Sequence, residues 1–255
     1  MSTAITVSDL GKRFRRYGAN RPRSFKESLI RGLRGVTPTE TFWALKDVSF
    51  SVEEGRMVGV IGHNGAGKST LLRLVGGIGR PDRGEISVRG RIGGLLELGA
   101  GFHPDLTGRE NVYVNGVVAG LTRREVSLLF DEIVCFAELE EFIDSPLHTY
   151  SDGMRMRLGF AVIAHTEPGI LLIDELLAVG DSLFRSKCLE RINLFRARGC
   201  TILLVSHDLT SVGELCDEVL WLHRGQLAAA GGAEDVTALY ERHNQEQGRG
   251  EEGCP

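Results

Sequence analysis

The sequence predicts an α/β fold built around a parallel sheet that is buried on both faces. Three observations carry that expectation. Strand-like and helix-like patterns alternate along the chain. Two short runs, Ile170-Leu171-Leu172-Ile173 and Thr201-Ile202-Leu203-Leu204-Val205, are continuously apolar, as central parallel strands are. A third run, Arg56-Met57-Val58-Gly59-Val60-Ile61, passes directly into a glycine-rich loop and then a helix from Ser69.

The elements follow in order. Residues 4–9 read as a strand. A basic segment containing Pro22 and Pro38 comes next and reads as an insertion. Within it Phe25, Leu29, Ile30 and Leu33 share one face, so 24–34 is expected as a short basic amphipathic helix. Residues 44–52 alternate like a half-buried strand. Residues 85–98 read as further strands interrupted by Gly90, Gly93 and Gly94. The section 105–165 is mainly helical, with apolar spacing at Val112, Val117, Val118 and Leu121, then at Leu128, Leu129, Ile133 and Phe136. Residues 218–222 and 226–230 form a hairpin pattern around Arg224-Gly225. The polar, glycine-containing tail 243–255 is expected to be disordered.

Composition narrows the function. The 255 residues include 42% hydrophobic and 25% charged side chains, which is globular usage. The 33 glycines are about twice the usual share and have no collagen period. The net charge of −4 argues against nucleic acid as the partner. Lys12, Arg13, Arg15, Arg16, Arg21, Arg23, Lys26, Arg31 and Arg34 stand against Glu27 alone, so residues 12–34 carry +8 and the remainder −12. That segment reads either as a solvated loop or as a surface for anionic lipid or a membrane partner. No apolar run reaches the length of a membrane span, and the N-terminus lacks a signal-peptide pattern. Cys135, Cys188, Cys200, Cys216 and Cys254 are scattered, without a Cys-x-x-Cys pair, and read as reduced structural thiols.

The chemistry lies in Gly62-His63-Asn64-Gly65-Ala66-Gly67-Lys68-Ser69-Thr70, which fits Gly-x4-Gly-Lys-Ser/Thr. Glycines let successive backbone N–H groups curl around phosphate oxygens, and the following helix aims its positive end at the same anion. Lys68 neutralises the β- and γ-phosphates, and the Ser69 hydroxyl can ligate Mg²⁺. Asp174-Glu175 end an apolar strand, beside the expected phosphate site. Asp174 can hold Mg²⁺ through water, and Glu175 can polarise the attacking water. His207 ends another apolar run and reads as a γ-phosphate sensor or as a hydrogen-bonded core histidine.

These residues resemble the nucleotide-binding subunits of ABC transporters over roughly residues 4–240. Tyr150-Ser151-Asp152-Gly153-Met154-Arg155 is similar to the family signature, usually Leu-Ser-Gly-Gly-Gln, with Ser151 and Gly153 matching. The resemblance implies a P-loop NTPase cassette with a RecA-like parallel-sheet core, an antiparallel β subdomain and a helical signature subdomain at about 103–166. The ATPase domain would run over 1–242, with the basic insertion at about 15–40. ATP and Mg²⁺ would be the cofactors. Ser151 and Gly153 would contact ATP held by a second copy in a head-to-tail dimer, with Asp181 as the D-loop aspartate and His207 as the switch histidine. Phe14 matches the adenine-stacking aromatic best by position, with Tyr17 and Trp43 as alternatives.

The departures are specific. Glu97 stands about where the family usually has the Q-loop glutamine, and keeps a metal-binding oxygen there. The signature reads Tyr-Ser-Asp-Gly-Met, the D-loop reads Ala178-Val179-Gly180-Asp181, and Leu106-Thr107-Gly108-Arg109-Glu110-Asn111 follows the Q-loop region. Together they resemble the subgroup that exports cell-surface polysaccharides such as O-antigen, capsule and teichoic acid. The implied setting is the cytoplasmic face of the membrane, beneath a polytopic permease. The cassette pattern ends near Tyr240, leaving too little chain for an added glycan-binding β-sandwich. A lipid-linked polysaccharide would then be contacted mainly by the permease. An exporter of lipids or drugs, and a soluble non-transport ABC ATPase, are the alternatives.

Overall fold

The structure, a computed structural model, describes residues 2–16, 40–95, 101–174 and 182–251. The strands are β1 (Thr3–Arg16), β2 (Glu40–Glu53), β3 (Met57–Ile61), β4 (Arg83–Val88), β5 (Ile92–Leu95), β6 (Ile170–Asp174), β7 (Thr201–Val205), β8 (Glu218–His223) and β9 (Gln226–Gly232). The helices are α1 (Lys68–Val75), α2 (Gly108–Val118), α3 (Arg123–Ala137), α4 (Asp152–Ala164), α5 (Ser182–Ala197), α6 (Leu209–Leu215) and α7 (Ala233–Glu251).

The predicted parallel sheet is present. Its order is β5-β6-β7-β3-β8-β9, parallel throughout except for the β8–β9 hairpin. All five residues of β3 and of β7 are buried, which explains their unbroken apolar runs. Met57, Ile61, Leu171, Ile173, Ile202 and Leu204 face a core shared with α4, α5 and α6. Val58, Val60, Leu172, Leu203 and Val205 face the opposite core, with Leu71 and Leu72 of α1 and Ile5, Leu10 and Leu45 of the second sheet. That second sheet is antiparallel, in the order β2-β1-β4. The first strand runs to Arg16 instead of ending at residue 9, because β2 pairs with it as far as Arg16↔Glu40.

Helices α2, α3 and α4 gather Val112, Val126, Phe130, Ile133, Leu158 and Tyr150 into a core of their own. Two capping boxes start the first two of these helices. Thr107 pairs with Glu110, and Thr122 with Glu125, each threonine accepting from the backbone N–H three residues on. Their hydrogen bonds to backbone and hydroxyl hold both glutamates below the usual carboxylate range.

One expectation is corrected. Helix α7 continues to Glu251, so 243–251 is helical rather than disordered. His243 packs on Trp221 and His223, with ring centroids 5.0 and 5.2 Å away, which anchors the helix beyond residue 242. The expected basic helix 24–34 lies outside the described residues. Cys188, Cys200 and Cys216 are buried, and burial pushes their thiols up to about 12, 11 and 12, so they act as packing groups. Among the described residues, no helix is long and apolar enough to cross a membrane.

Candidate nucleotide site

The sheet register brings the chemistry to one edge. Val60 of β3 and Asp174 of β6 both pair with Val205 of β7, so all three share a cross-strand row. Gly62 lies two residues past Val60, and His207 two past Val205. The phosphate loop, Asp174 and His207 therefore leave the sheet at the same carboxyl edge, with about 4.8 Å between neighbouring strands.

The loop is shaped by its surroundings. Gly62 has φ 146°, and a Cβ there would collide with the Leu222 carbonyl oxygen of β8. Gly67 caps α1 at φ 106°, and its added Cβ would sit 2.6 Å from the Ala44 carbonyl oxygen. Only glycine combines those backbone angles with those approaches. The Gly225 N–H donates to Ala66 O at 3.0 Å, and the Lys46 N–H to Gly225 O at 2.8 Å, so the β8–β9 turn clamps the loop from outside. Lys68 is 7% exposed, and its Nζ donates to Gly62 O at 2.6 Å and His63 O at 3.1 Å. Those carbonyls hold the ammonium inside the loop curl, where it can meet an anion.

A cleft of about 550 Å³ opens over the loop, lined by His63, Asn64, Gly65, Gly67, Lys68, Ser69 and Thr70. Its far wall contains Phe14, Phe42 and Trp43. Phe14 and Trp43 are therefore both present, but they differ. The Arg13 and Arg83 guanidiniums both lie over the Trp43 ring, 5.2 and 5.1 Å from its centroid. Phe14 and Phe42 are 42% and 46% exposed, as expected of surfaces waiting for a flat apolar ligand. Phe42 was missed in the sequence because the insertion between β1 and β2 hides that it pairs directly with Phe14. Arg224 also lines the cleft, and its place in a hairpin turn gave no hint of that.

Ser151 and Gly153 are not among the described residues that line this cleft. They begin α4, where the Ser151 hydroxyl accepts from the Met154 N–H at 3.2 Å. Ser151, Asp152 and the start of α4 are solvent-facing, so a second helix N-terminus faces outward. Glu97, Glu175, Asp181 and the alternative aromatic Tyr17 lie outside the described residues. His223 stacks edge-on with His63 of the loop at 5.5 Å. Its pKa is lowered by burial and by Arg224, His243 and His63.

The comparisons agree with this geometry. The ABC transporter family matches residues 45–178. The chain is 47% identical over 241 residues to the O-antigen export system ATP-binding protein RfbB of Myxococcus xanthus, covering 93% of this chain and 55% of that protein. It is 50% identical over 201 residues to the RfbB protein of Klebsiella pneumoniae, covering 79% of this chain and 82% of that one. A solved ATP-binding subunit of an ABC transporter superposes with a TM-score of 0.73 at 26% identity, covering 93% of each chain. Fold, phosphate loop and relatives converge: the chain belongs to the ABC transporter family, as its ATP-binding, ATP-hydrolysing cassette.

Proposed function

We propose that this ATPase drives export of a lipid-linked cell-surface polysaccharide across the cytoplasmic membrane. Two copies work as an ATP-sandwich dimer at the cytoplasmic face, beneath a polytopic permease that makes most of the contact with the glycan. The observation that carries the reading is the near half identity to O-antigen export ATP-binding proteins, in a chain that keeps the phosphate loop intact.

Lys68 and the loop N–H groups bind and neutralise the phosphates, Phe14 stacks on the base, and Glu175 polarises the attacking water. His207 senses the γ-phosphate, and Ser151, Gly153 and Asp181 complete the partner's site. Ser69 and Asp174 offer hard oxygen donors, with Glu97 as a third. Mg²⁺ takes one or two protein oxygens together with substrate phosphates, and Ser69 in the cleft with Asp174 at the carboxyl edge of the sheet would supply such a pair. Bound Mg²⁺ would draw charge from the β- and γ-phosphate oxygens.

Replacing the chain in its own cells with Lys68→Ala tests the reading. The expected result is loss of surface polysaccharide with lipid-linked glycan accumulating inside. Unchanged surface glycan would favour an exporter of another substrate.

A further inference from the structure

Tyr150 stands where the family signature usually has leucine, and it is 2% exposed. Its hydroxyl donates to Phe142 O at 2.6 Å. The ring lies so close to the first turn of α2 that a Cβ on Gly108 would collide with the hydroxyl and come 2.9 Å from Ile143 O. The rest of the Leu106–Asn111 segment grips the same stretch. The Gly108 N–H donates to Ser145 O at 3.1 Å, and the Arg109 N–H to Ile143 O at 2.8 Å. The Leu147 N–H donates back to Leu106 O at 2.9 Å, and the Arg109 guanidinium forks onto Asp144 at 2.6 and 3.1 Å. On the other side, Arg155 Nε and Nη2 donate to Tyr150 O at 3.2 and 3.0 Å, one residue before Ser151.

The two motifs, Leu106–Asn111 and Tyr150–Met154, are therefore two halves of one joint. We infer that the Tyr150 hydroxyl is a positioning group, which fixes the Ser151 turn against α2 so that Ser151 meets the partner's nucleotide in one geometry. A leucine is shorter than the ring and has no hydroxyl to bond to Phe142 O. This inference rests on the proposed role of Ser151 in a dimer.

Tyr150→Phe removes only that bond. Phe142 O keeps the Ser145 N–H at 2.8 Å, so no buried carbonyl is stranded and the variant folds. Turnover should fall roughly three- to tenfold, the kinetic worth of one neutral hydrogen bond. In a Glu175→Gln background the Mg-ATP-dependent dimer should weaken by a similar factor. Affinity of the monomer for a fluorescent ATP should stay unchanged. Gly108→Ala, which crowds the same hydroxyl, should give the same separation of effects. Tyr113→Phe, which loses a 3.2 Å contact with Ser127 Oγ in the same helical unit, should change neither quantity. Wild-type turnover and dimer affinity in Tyr150→Phe would overturn the inference, as would an equal loss of monomer ATP affinity. If Glu175→Gln with Tyr150 intact never dimerises on Mg-ATP, the dimer reading itself fails.

Discussion

Phe14 and Phe42 sit directly opposite each other on β1 and β2, with ring centroids 6.2 Å apart and planes tilted by 34°. That spacing is too small for a base to slide between the rings, so together they form one aromatic floor beside the phosphate loop.

Phe14→Ala and Phe42→Ala should each weaken ATP binding by about 1–2 kcal/mol, the usual worth of stacking on a base. Inorganic triphosphate, which has no base, should bind both variants like the parent. Calorimetry with the two ligands separates loss of a stacking surface from general damage.

Lys68→Ala should cost about 2–5 kcal/mol of nucleotide affinity, because it removes the buried counter-charge of the phosphates. Glu175→Gln should retain binding and lose turnover, since it keeps shape and polarity but not the base. Wild-type turnover in Glu175→Gln would reassign catalysis to another group.

Two glycine substitutions should move stability in opposite directions. Gly67→Ala forces a Cβ toward Ala44 O at a left-handed backbone angle and should destabilise by roughly 1–3 kcal/mol. Gly213 lies within α6 with no atom near its would-be Cβ, so Gly213→Ala should stabilise by about 0.5–1 kcal/mol. Urea midpoints of the two variants check the pair.

Stability should fall as the pH drops below about 6.5. His165 is lowered chiefly by burial, and His223 by burial and by Arg224, His243 and His63. With folded values below the unfolded one, the unfolded chain binds more protons in that window, so acid favours unfolding. Melting at pH 7.5 and pH 5.5 should show the loss, and His165→Gln should flatten it.

The central strands were legible because burial on both faces leaves short, unbroken apolar runs. The phosphate loop was legible because its chemistry is local: Gly62 through Thr70 are consecutive. Phe42 was not, because its partnership with Phe14 depends on how β2 returns past a long insertion. The helix beyond residue 242 was hidden for a related reason. Its composition is polar, and its order comes from rings on β8, which are distant in sequence. Arg224 belongs to the same class, reaching the cleft only because β8 lies beside β3.

The position of β3 in the sheet also dictates a schedule. It lies between β7 and β8, and Gly62 packs on the carbonyl of Leu222, about 160 residues downstream. A ribosome that has just released the phosphate loop has made none of these neighbours. The clamp on the anion cradle therefore cannot close until the hairpin at Arg224-Gly225 has emerged, and β3 stays an unpaired apolar strand until β7 has. Nucleotide can reward folding only after that hairpin is out, and chaperones have the whole interval before it in which to bind.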